Sequence, residues 1–100
     1  MSEINRKYEQ SYNEKTRVIS TDELKQAMIE ERYKKTVSEV YEALKEKGYN
    51  PISQLIGYLL SEDPTYITTH NNARIKMTHL DRDELLKYII KHYVESKSII

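Results

Sequence analysis

The chain has 100 residues, a length that fits one domain and leaves no room for a second. Its 16 basic and 16 acidic side chains cancel to a formal charge of zero, which disfavours nucleic-acid binding because phosphate neutralisation calls for a basic excess. There is no cysteine, so disulfide scaffolds, thiolate zinc sites and thiol nucleophiles are excluded. No apolar run approaches the roughly 20 residues that span a bilayer, and residues 1–6 lack the apolar core of a secretion signal. We therefore expect a cytoplasmic protein without membrane insertion.

The composition predicts an all-α fold. Glycine and proline occur only twice each, well below their usual shares of about 7% and 5%, which argues against turn-rich β folds. Residues 1–19 hold only isolated apolar side chains and are predicted to be a flexible N-terminal tail, whereas residues 20–100 are predicted to form the helical domain. Because so small a domain buries a limited share of its surface, we expect a compact, homodimeric bundle of about five helices.

A long helical segment is predicted to begin after Ser20. Ser20 and Glu23 have the spacing of a capping box, and apolar residues follow at helical spacing with one slip of phase across Glu30–Arg32. The slip leaves two alternatives, one long bent helix or two shorter helices. Gly48 follows two lysines and is predicted to end the segment as the first residue beyond the helix.

A second helix is predicted to begin at Asn50-Pro51, with asparagine as the N-cap and proline at the first helical position. Its apolar residues form a wide stripe, which makes it the expected central core helix. Gly57 lies inside this helix, where glycine costs about 1 kcal/mol relative to alanine. We therefore expect another helix to approach closely at that point.

The segment from Ser61 to Arg82 is polar but carries further helix-start signals. Asp63-Pro64 repeats the cap-and-proline start, which supports only a turn or two, and a short helix is predicted from Thr69 to about Met77. Asp81 and Glu84 have capping-box spacing and predict the start of a last helix. That helix is predicted to bury an apolar face made of Leu85, Leu86, Ile89, Ile90, Tyr93 and Val94.

The residues of catalysis and metal binding are missing or badly spaced. The three histidines are His70, His79 and His92, and no two of them are four residues apart as a helical zinc site requires. The two glycines are isolated, so there is no glycine-rich phosphate loop. We predict that the protein is not an enzyme and holds no cofactor and no metal.

Three sets of residues are predicted to carry function. A fixed polar surface in a small protein favours partner binding, with a solvated connector as the alternative. The predicted partner-binding surface consists of Tyr49, Asn50, Asp63, Tyr66, His70, Asn72, Arg74 and Arg82. The predicted core that continues across a two-fold axis consists of Ile52, Leu55, Ile56, Tyr58, Leu59, Leu86, Ile89, Ile90 and Tyr93. A hydroxyl in the tail is accessible to a kinase, and the candidate acceptors are Thr16, Ser20 and Thr21.

From Val40 onward the sequence resembles the IreB/ReoM family of small regulatory phosphoproteins of Firmicutes. The matching stretches occur in the family's order and spacing, and they are Val40–Leu44, Lys47–Pro51, Gln54–Ser61, Asp63–Ile67, His70–Arg74 and Arg82–Leu85. The pair formed by Lys47–Pro51 and Gly57–Ser61 is the most specific of them. Glu62 is a departure, because it stands where the family usually has glycine.

The resemblance implies a helical homodimer without catalytic activity. It implies phosphorylation on a tail threonine, for which Thr16 is the nearest match, by a membrane Ser/Thr kinase with cell-wall-sensing domains. Through that modification such proteins regulate peptidoglycan synthesis and antibiotic tolerance. In the ReoM-type branch they act on the proteolysis, by a Clp protease, of the enzyme that commits UDP-GlcNAc to the wall. The kinase, the Clp protease and this wall-precursor enzyme are therefore the expected partners.

The alternative function is that of a small dimeric DNA-binding transcriptional regulator. Short helices joined by tight turns also suit helix-turn-helix proteins. The neutral charge of the chain argues against this alternative, and the absence of duplex binding at low salt would exclude it.

Overall fold

The computed structural model describes residues 20–97, and these residues contain four α-helices and two 3₁₀ turns. Helix α1 is Thr21–Glu46, α2 is Pro51–Ser61, α3 is Ala73–Thr78 and α4 is Arg82–Lys97; the 3₁₀ turns are Pro64–Tyr66 and His70–Asn72. The prediction of an all-α fold is confirmed, with four α-helices in place of about five. The predicted tail, residues 1–19, lies outside the described residues.

Helix α1 resolves the alternative that the sequence left open, because it is one uninterrupted helix of 26 residues. It begins with the predicted capping box: the Ser20 hydroxyl accepts a hydrogen bond from the Glu23 amide, and the Glu23 carboxylate accepts one from the Ser20 amide. The helix ends at Glu46 with Lys47 as its C-cap, and Gly48 follows as predicted, with a φ of +85°, the left-handed conformation that glycine adopts without strain. The Tyr49 amide then donates to the Leu44 carbonyl at 3.0 Å, which closes the end of the helix.

The core lies where α1, α2 and α3 meet. Its largest fully buried side chains come from α1, the segment between α2 and α3, α3 and the first turn of α4, and they are Val40, Leu44, Ile67, Met77 and Leu85. Leu55 and Tyr58 add the buried face of α2. Burial of such side chains contributes about 1.5–3 kcal/mol each, so these residues hold the connection between α2 and α4 against the longer helix α1.

Helix α4 departs from its prediction. Leu85 is buried, but the other five residues of its predicted buried face, among them Ile90 and Tyr93, are exposed within one chain. Contacts to α1 involve only part of the helix, including an edge-to-face pair of Tyr33 and Tyr88 with ring centroids 6.0 Å apart. Periodicity shows which residues share this face, but most of the face is exposed within the described part of the chain.

Candidate functional site

The turn that follows α2 is held by short side-chain hydrogen bonds. The Ser61 hydroxyl donates to the Gly57 carbonyl at 2.7 Å and accepts from the Asp63 amide at 3.0 Å. One oxygen of Asp63 accepts from both the amide and the hydroxyl of Thr65, at 3.0 and 2.7 Å. These two bonds, the amide first, lower the pKa of Asp63 from its ordinary value. The predicted Asp63 cap is therefore confirmed, and its carboxylate faces solvent in a fixed position.

Tyr66 packs its ring across Gly57. A Cβ placed on Gly57 would lie only 2.4 Å from two ring carbons of Tyr66, so the close approach expected at this glycine is made by a tyrosine ring and not by another helix. The side-chain Nε2 of Gln54 donates to the Tyr66 carbonyl at 2.9 Å, which fastens the backbone of the turn to α2. Gln54, Asp63, Thr65 and Tyr66 line an open groove of about 360 Å³, so two predicted partner-binding residues share one surface.

Arg74 supports this turn from the start of α3. Its Nε donates to the Ile67 carbonyl at 2.9 Å, and its amide donates to the Thr68 carbonyl at 3.0 Å. Its positive charge also contributes to the lowered pKa of Asp63. Arg74 is half-buried. It therefore holds the backbone that follows the 3₁₀ turn Pro64–Tyr66 and also contributes part of the exposed surface.

His70 and the two asparagines that follow form a second fixed turn. His70 Nε2 lies 2.7 Å from Glu46 Oε1, at the end of α1, and 3.3 Å from the side-chain Nδ2 of Asn71. Asn71 and Asn72 both have positive φ, +54° and +61°, a conformation that asparagine tolerates better than other non-glycine residues. Because of these two residues, the short helix predicted from Thr69 begins only at Ala73. Asn72 lies exposed at the surface.

Arg82 links the two ends of the connection between α2 and α4. Its guanidinium donates to the Leu59 carbonyl and to the Glu62 carboxylate. Glu62 has φ +62°, the left-handed conformation in which glycine is favoured, which accounts for glycine being usual at this position in the resembling family. Arg82 is half-buried, so this predicted partner-binding residue is bound within its own chain.

Two further predicted surface residues lie between α1 and α2. Asn50 acts as the predicted N-cap of α2, since its side-chain oxygen accepts from the Ser53 amide at 3.1 Å. Tyr49 is half exposed and its ring is accessible. The structure thus brings Asp63, Tyr66 and Arg74 together, and it ties His70 to the end of α1.

The candidate phosphate acceptors differ in their surroundings. Thr16 lies outside the described residues. Ser20 is exposed, but its hydroxyl is engaged as the N-cap of α1. Thr21, the first residue of α1, is also exposed.

The predicted dimer residues divide into an inner and an outer set. Leu55 and Tyr58 are buried within the chain and Leu59 is half-buried. The outer set is exposed and consists of Ile52, Ile56, Leu86, Ile89, Ile90 and Tyr93. The outer set therefore forms two exposed apolar faces, one on α2 and one on α4, and Arg82 connects the end of α2 to the start of α4.

Several partners in this region were missed by the sequence reasoning. Glu46, Gln54 and Glu62 hold His70, Tyr66 and Arg82 from 12 to 24 residues away. No local pattern in the sequence identifies such pairs. The positive φ of Glu62 does have a signal in the sequence, because Glu62 stands where the resembling family usually has glycine.

No three histidine or acidic side chains of residues 20–97 come together as metal ligands. Within the same range, no helix has the length and apolar character that crossing a membrane requires.

A comparison with protein families completes this description. The family model for the IreB regulatory phosphoprotein matches residues 9–95, which is most of the chain and includes all four helices almost entirely. The match extends the similarity beyond the stretches that begin at Val40. The chain belongs to the family of IreB regulatory phosphoproteins.

Proposed function

We propose that this protein is a non-enzymatic regulatory adaptor whose contacts with protein partners are switched by phosphorylation of its N-terminal segment. The observation that carries the proposal is the fixed polar surface formed by Asp63, Tyr66 and Arg74. Each turn of this surface is fastened by side-chain hydrogen bonds although its residues lie at the surface. A protein that recognises a partner benefits from such order, because little conformational entropy is lost on binding.

The surface offers chemistry suited to a protein partner. Tyr66 is 39% exposed, and tyrosine gives a large, rigid contact area with a polar end. The fixed Asp63 carboxylate lies beside it in the same open groove. A partner segment with an apolar side chain next to a basic one matches this pair. His70, Asn72 and Tyr49 extend the proposed partner-binding surface toward the end of α1, while Asn50, Arg74 and Arg82 hold its backbone.

The resemblance described above supports a finer proposal about the process. We infer that a membrane Ser/Thr kinase modifies the cytoplasmic protein and that the protein controls peptidoglycan synthesis and antibiotic tolerance. The proposed route is Clp-dependent proteolysis of a wall-precursor enzyme.

We also propose that two copies associate through the outer apolar set. Ile52 on α2 is 55% exposed and Ile90 on α4 is 62% exposed, and exposed apolar faces of this kind favour association. Arg82 joins the end of α2 to the start of α4, which fixes one end of each of these helices relative to the other.

The first experiment treats the full chain with the cytoplasmic domain of the membrane kinase and ATP, followed by intact mass and site mapping. We expect one phosphate on Thr16, and no phosphate on a Thr16→Ala variant. Ser20→Ala and Thr21→Ala are the matched controls, because both residues are exposed hydroxyls that flank the start of α1. Phosphate found only on Ser20 or Thr21 would reject Thr16, and no phosphate at all would reject the switch.

The second experiment tests the dimer by light scattering at micromolar concentration. We expect the mass of two chains for the natural protein and of one chain for Ile90→Asp, since Ile90 is exposed and its replacement leaves the core intact. Lys87→Gln, at an exposed position one turn earlier on the same helix, should leave the mass unchanged. A single-chain mass for the natural protein would contradict the proposal.

A further inference from the structure

A groove lies between α1 and the His70–Asn72 turn, and its volume is about 560 Å³. It is lined by three residues of α1, two of the turn and one of α3, namely Ser38, Glu39, Glu42, Asn71, Asn72 and Lys76. No residue of this groove lines the groove of Asp63 and Tyr66. None belongs to the outer apolar set either, so an occupant of this groove is compatible with the proposed dimer.

The α1 wall of the groove carries a carboxylate that is not neutralised by the rest of the described chain. Glu39, Glu42 and Glu46 are three and four residues apart, so they lie along one face of the helix. Glu39 Oε1 lies 3.2 Å from Lys76 Nζ, and Glu46 Oε1 lies 2.7 Å from His70 Nε2. Glu42, between them, is exposed and makes no ion pair within residues 20–97. The lining side chains therefore have a net negative charge, which favours a cationic occupant.

The opposite wall is a fixed turn that presents an amide side chain. Asn71 and Asn72 both have positive φ, and such a conformation persists only where the surrounding structure holds it. Here the Asn72 backbone amide donates to the Thr69 carbonyl at 3.1 Å, and His70 contacts Asn71 Nδ2 at 3.3 Å. The Asn72 side chain does not cap α3 and makes no hydrogen bond with another described residue. Its oxygen and its NH₂ group are therefore available to an occupant.

We propose that this groove binds an arginine side chain in an extended segment of a partner protein. A guanidinium has five N–H donors in one plane, so it pairs with both oxygens of Glu42 and still donates to the side-chain oxygen of Asn72. A lysine ammonium is a point charge without this planar fork. The NH₂ group of Asn72 then donates to a backbone carbonyl of the segment. The inference rests on the proposed function, because Asn72 belongs to the proposed partner-binding surface, and it adds Glu42 and the chemistry of the ligand.

The contacts of the described arginines favour another protein over a second copy as the source of the arginine. Arg32, Arg74 and Arg82 each already donate to a backbone carbonyl of their own chain. A second copy would have to give up one of these hydrogen bonds to fill the groove. The net negative charge of the lining also argues against a phosphate-bearing ligand.

The test records amide signals of the ¹⁵N-labelled full chain during titration with an acetylated and amidated alanine-arginine-alanine peptide. We expect saturable shifts at Glu42 and Asn72 with a millimolar Kd, since a short flexible peptide loses entropy on binding. Glu42→Gln should weaken binding about fivefold, the effect of one exposed ion pair. Asn72→Gly accommodates the positive φ and removes the side-chain amide, so it should weaken binding by a similar factor. The matched control is Glu31→Gln, at an exposed position of α1 outside the groove, and it should leave binding unchanged.

Two further peptides test the choice of arginine. With lysine in place of arginine we expect weaker binding, and with glutamine no saturable shift at the groove. Equal binding of either peptide would overturn the assignment, and so would equal binding to the natural protein and to Glu42→Gln. Shifts spread evenly over the chain, or no shift at the groove, would overturn it as well.

Occupation of the groove by the chain itself is tested without peptide. The double variant Arg6→Gln, Arg17→Gln removes the two arginines that precede the described residues, and we expect its groove signals to match those of the natural protein. A difference between them, or groove signals that depend on protein concentration, would overturn the assignment to another protein. The kinase is absent from these titrations. Failure here with Thr16 phosphorylation intact would reject only the arginine site, whereas the kinase experiment alone rejects the switch.

Discussion

Replacement of Gly57 by alanine tests the contact that most directly shapes the candidate surface. A Cβ at this position would lie 2.4 Å from two carbons of the Tyr66 ring and 2.9 Å from a third. Ordinary contact begins near 3.4 Å, so the ring must retreat by about 1 Å or rotate into solvent. The Tyr66 backbone resists this movement, because its carbonyl accepts from Gln54 and its amide donates to the Asp63 carbonyl.

Two opposing effects determine how much Gly57→Ala changes the free energy of unfolding. Alanine gains about 1 kcal/mol over glycine in a helix interior, whereas extra volume in a packed site costs about 1–3 kcal/mol. With a cost near the middle of that range, about 2 kcal/mol, Gly57→Ala should lower the free energy of unfolding by about 1 kcal/mol. The same change in a Tyr66→Ala background should raise it by about 1 kcal/mol, because only the helix propensity remains.

Urea unfolding of the four proteins in this cycle measures the coupling between the two positions. We expect a coupling of about 2 kcal/mol, within the range found for side chains in contact, with m-values unchanged. If Gly57→Ala stabilises the natural protein as much as it stabilises Tyr66→Ala, the ring does not rest on this glycine. The claim that the Tyr66 ring is held in a fixed position on the proposed partner-binding surface would then be wrong.

Three other predictions concern the caps and the left-handed residue. Ser20→Ala should destabilise the protein by about 1 kcal/mol through loss of the N-cap, with Thr21→Ala nearly neutral; equal urea midpoints for the two variants would contradict the capping box. Glu62→Ala should be about 1 kcal/mol less stable than Glu62→Gly, because both lose the ion pair but only alanine keeps the left-handed strain; no difference would mean that Glu62 is not left-handed. The pKa of Asp63 is lower in the folded protein than its ordinary value of 3.8. The bonds from Thr65 therefore stabilise the fold above pH 3.8, and this stabilisation is lost as the pH falls through the lower folded pKa. NMR should show the Thr65 amide shift titrating below pH 3.8, and not at all in Asp63→Asn, which keeps an acceptor oxygen; a midpoint at or above 3.8 would reject the cap.

The helix ends were predictable because their signals are local. Ser20, Asn50 and Asp63 each accept from an amide two or three residues away, a distance at which residue type and spacing are enough. Gly48 likewise ends α1 through its own conformation. The same reasoning failed at Thr69, where two consecutive asparagines adopt positive φ and delay the helix to Ala73.

The helix-start signals between α2 and α4 were predictable, but the arrangement of the residues in that connection was not. The sequence indicated that Asp63, Tyr66 and Arg74 lie in one ordered polar segment, but it contained no signal that Arg82 would bind Glu62 and Leu59. Periodicity also showed which residues of α4 share a face without showing what covers that face. The partners of Arg82 and the cover of the α4 face both depend on contacts between distant parts of the chain, which local patterns do not record.

The first nine residues of α1, numbers 21–29, are all exposed. Insertions or deletions in this stretch therefore leave the buried residues of the core in place. Each inserted residue nevertheless turns the start of the helix by about 100° and moves it by about 1.5 Å. Over evolutionary time, the direction in which helix α1 begins can thus change in discrete steps while the buried core is kept.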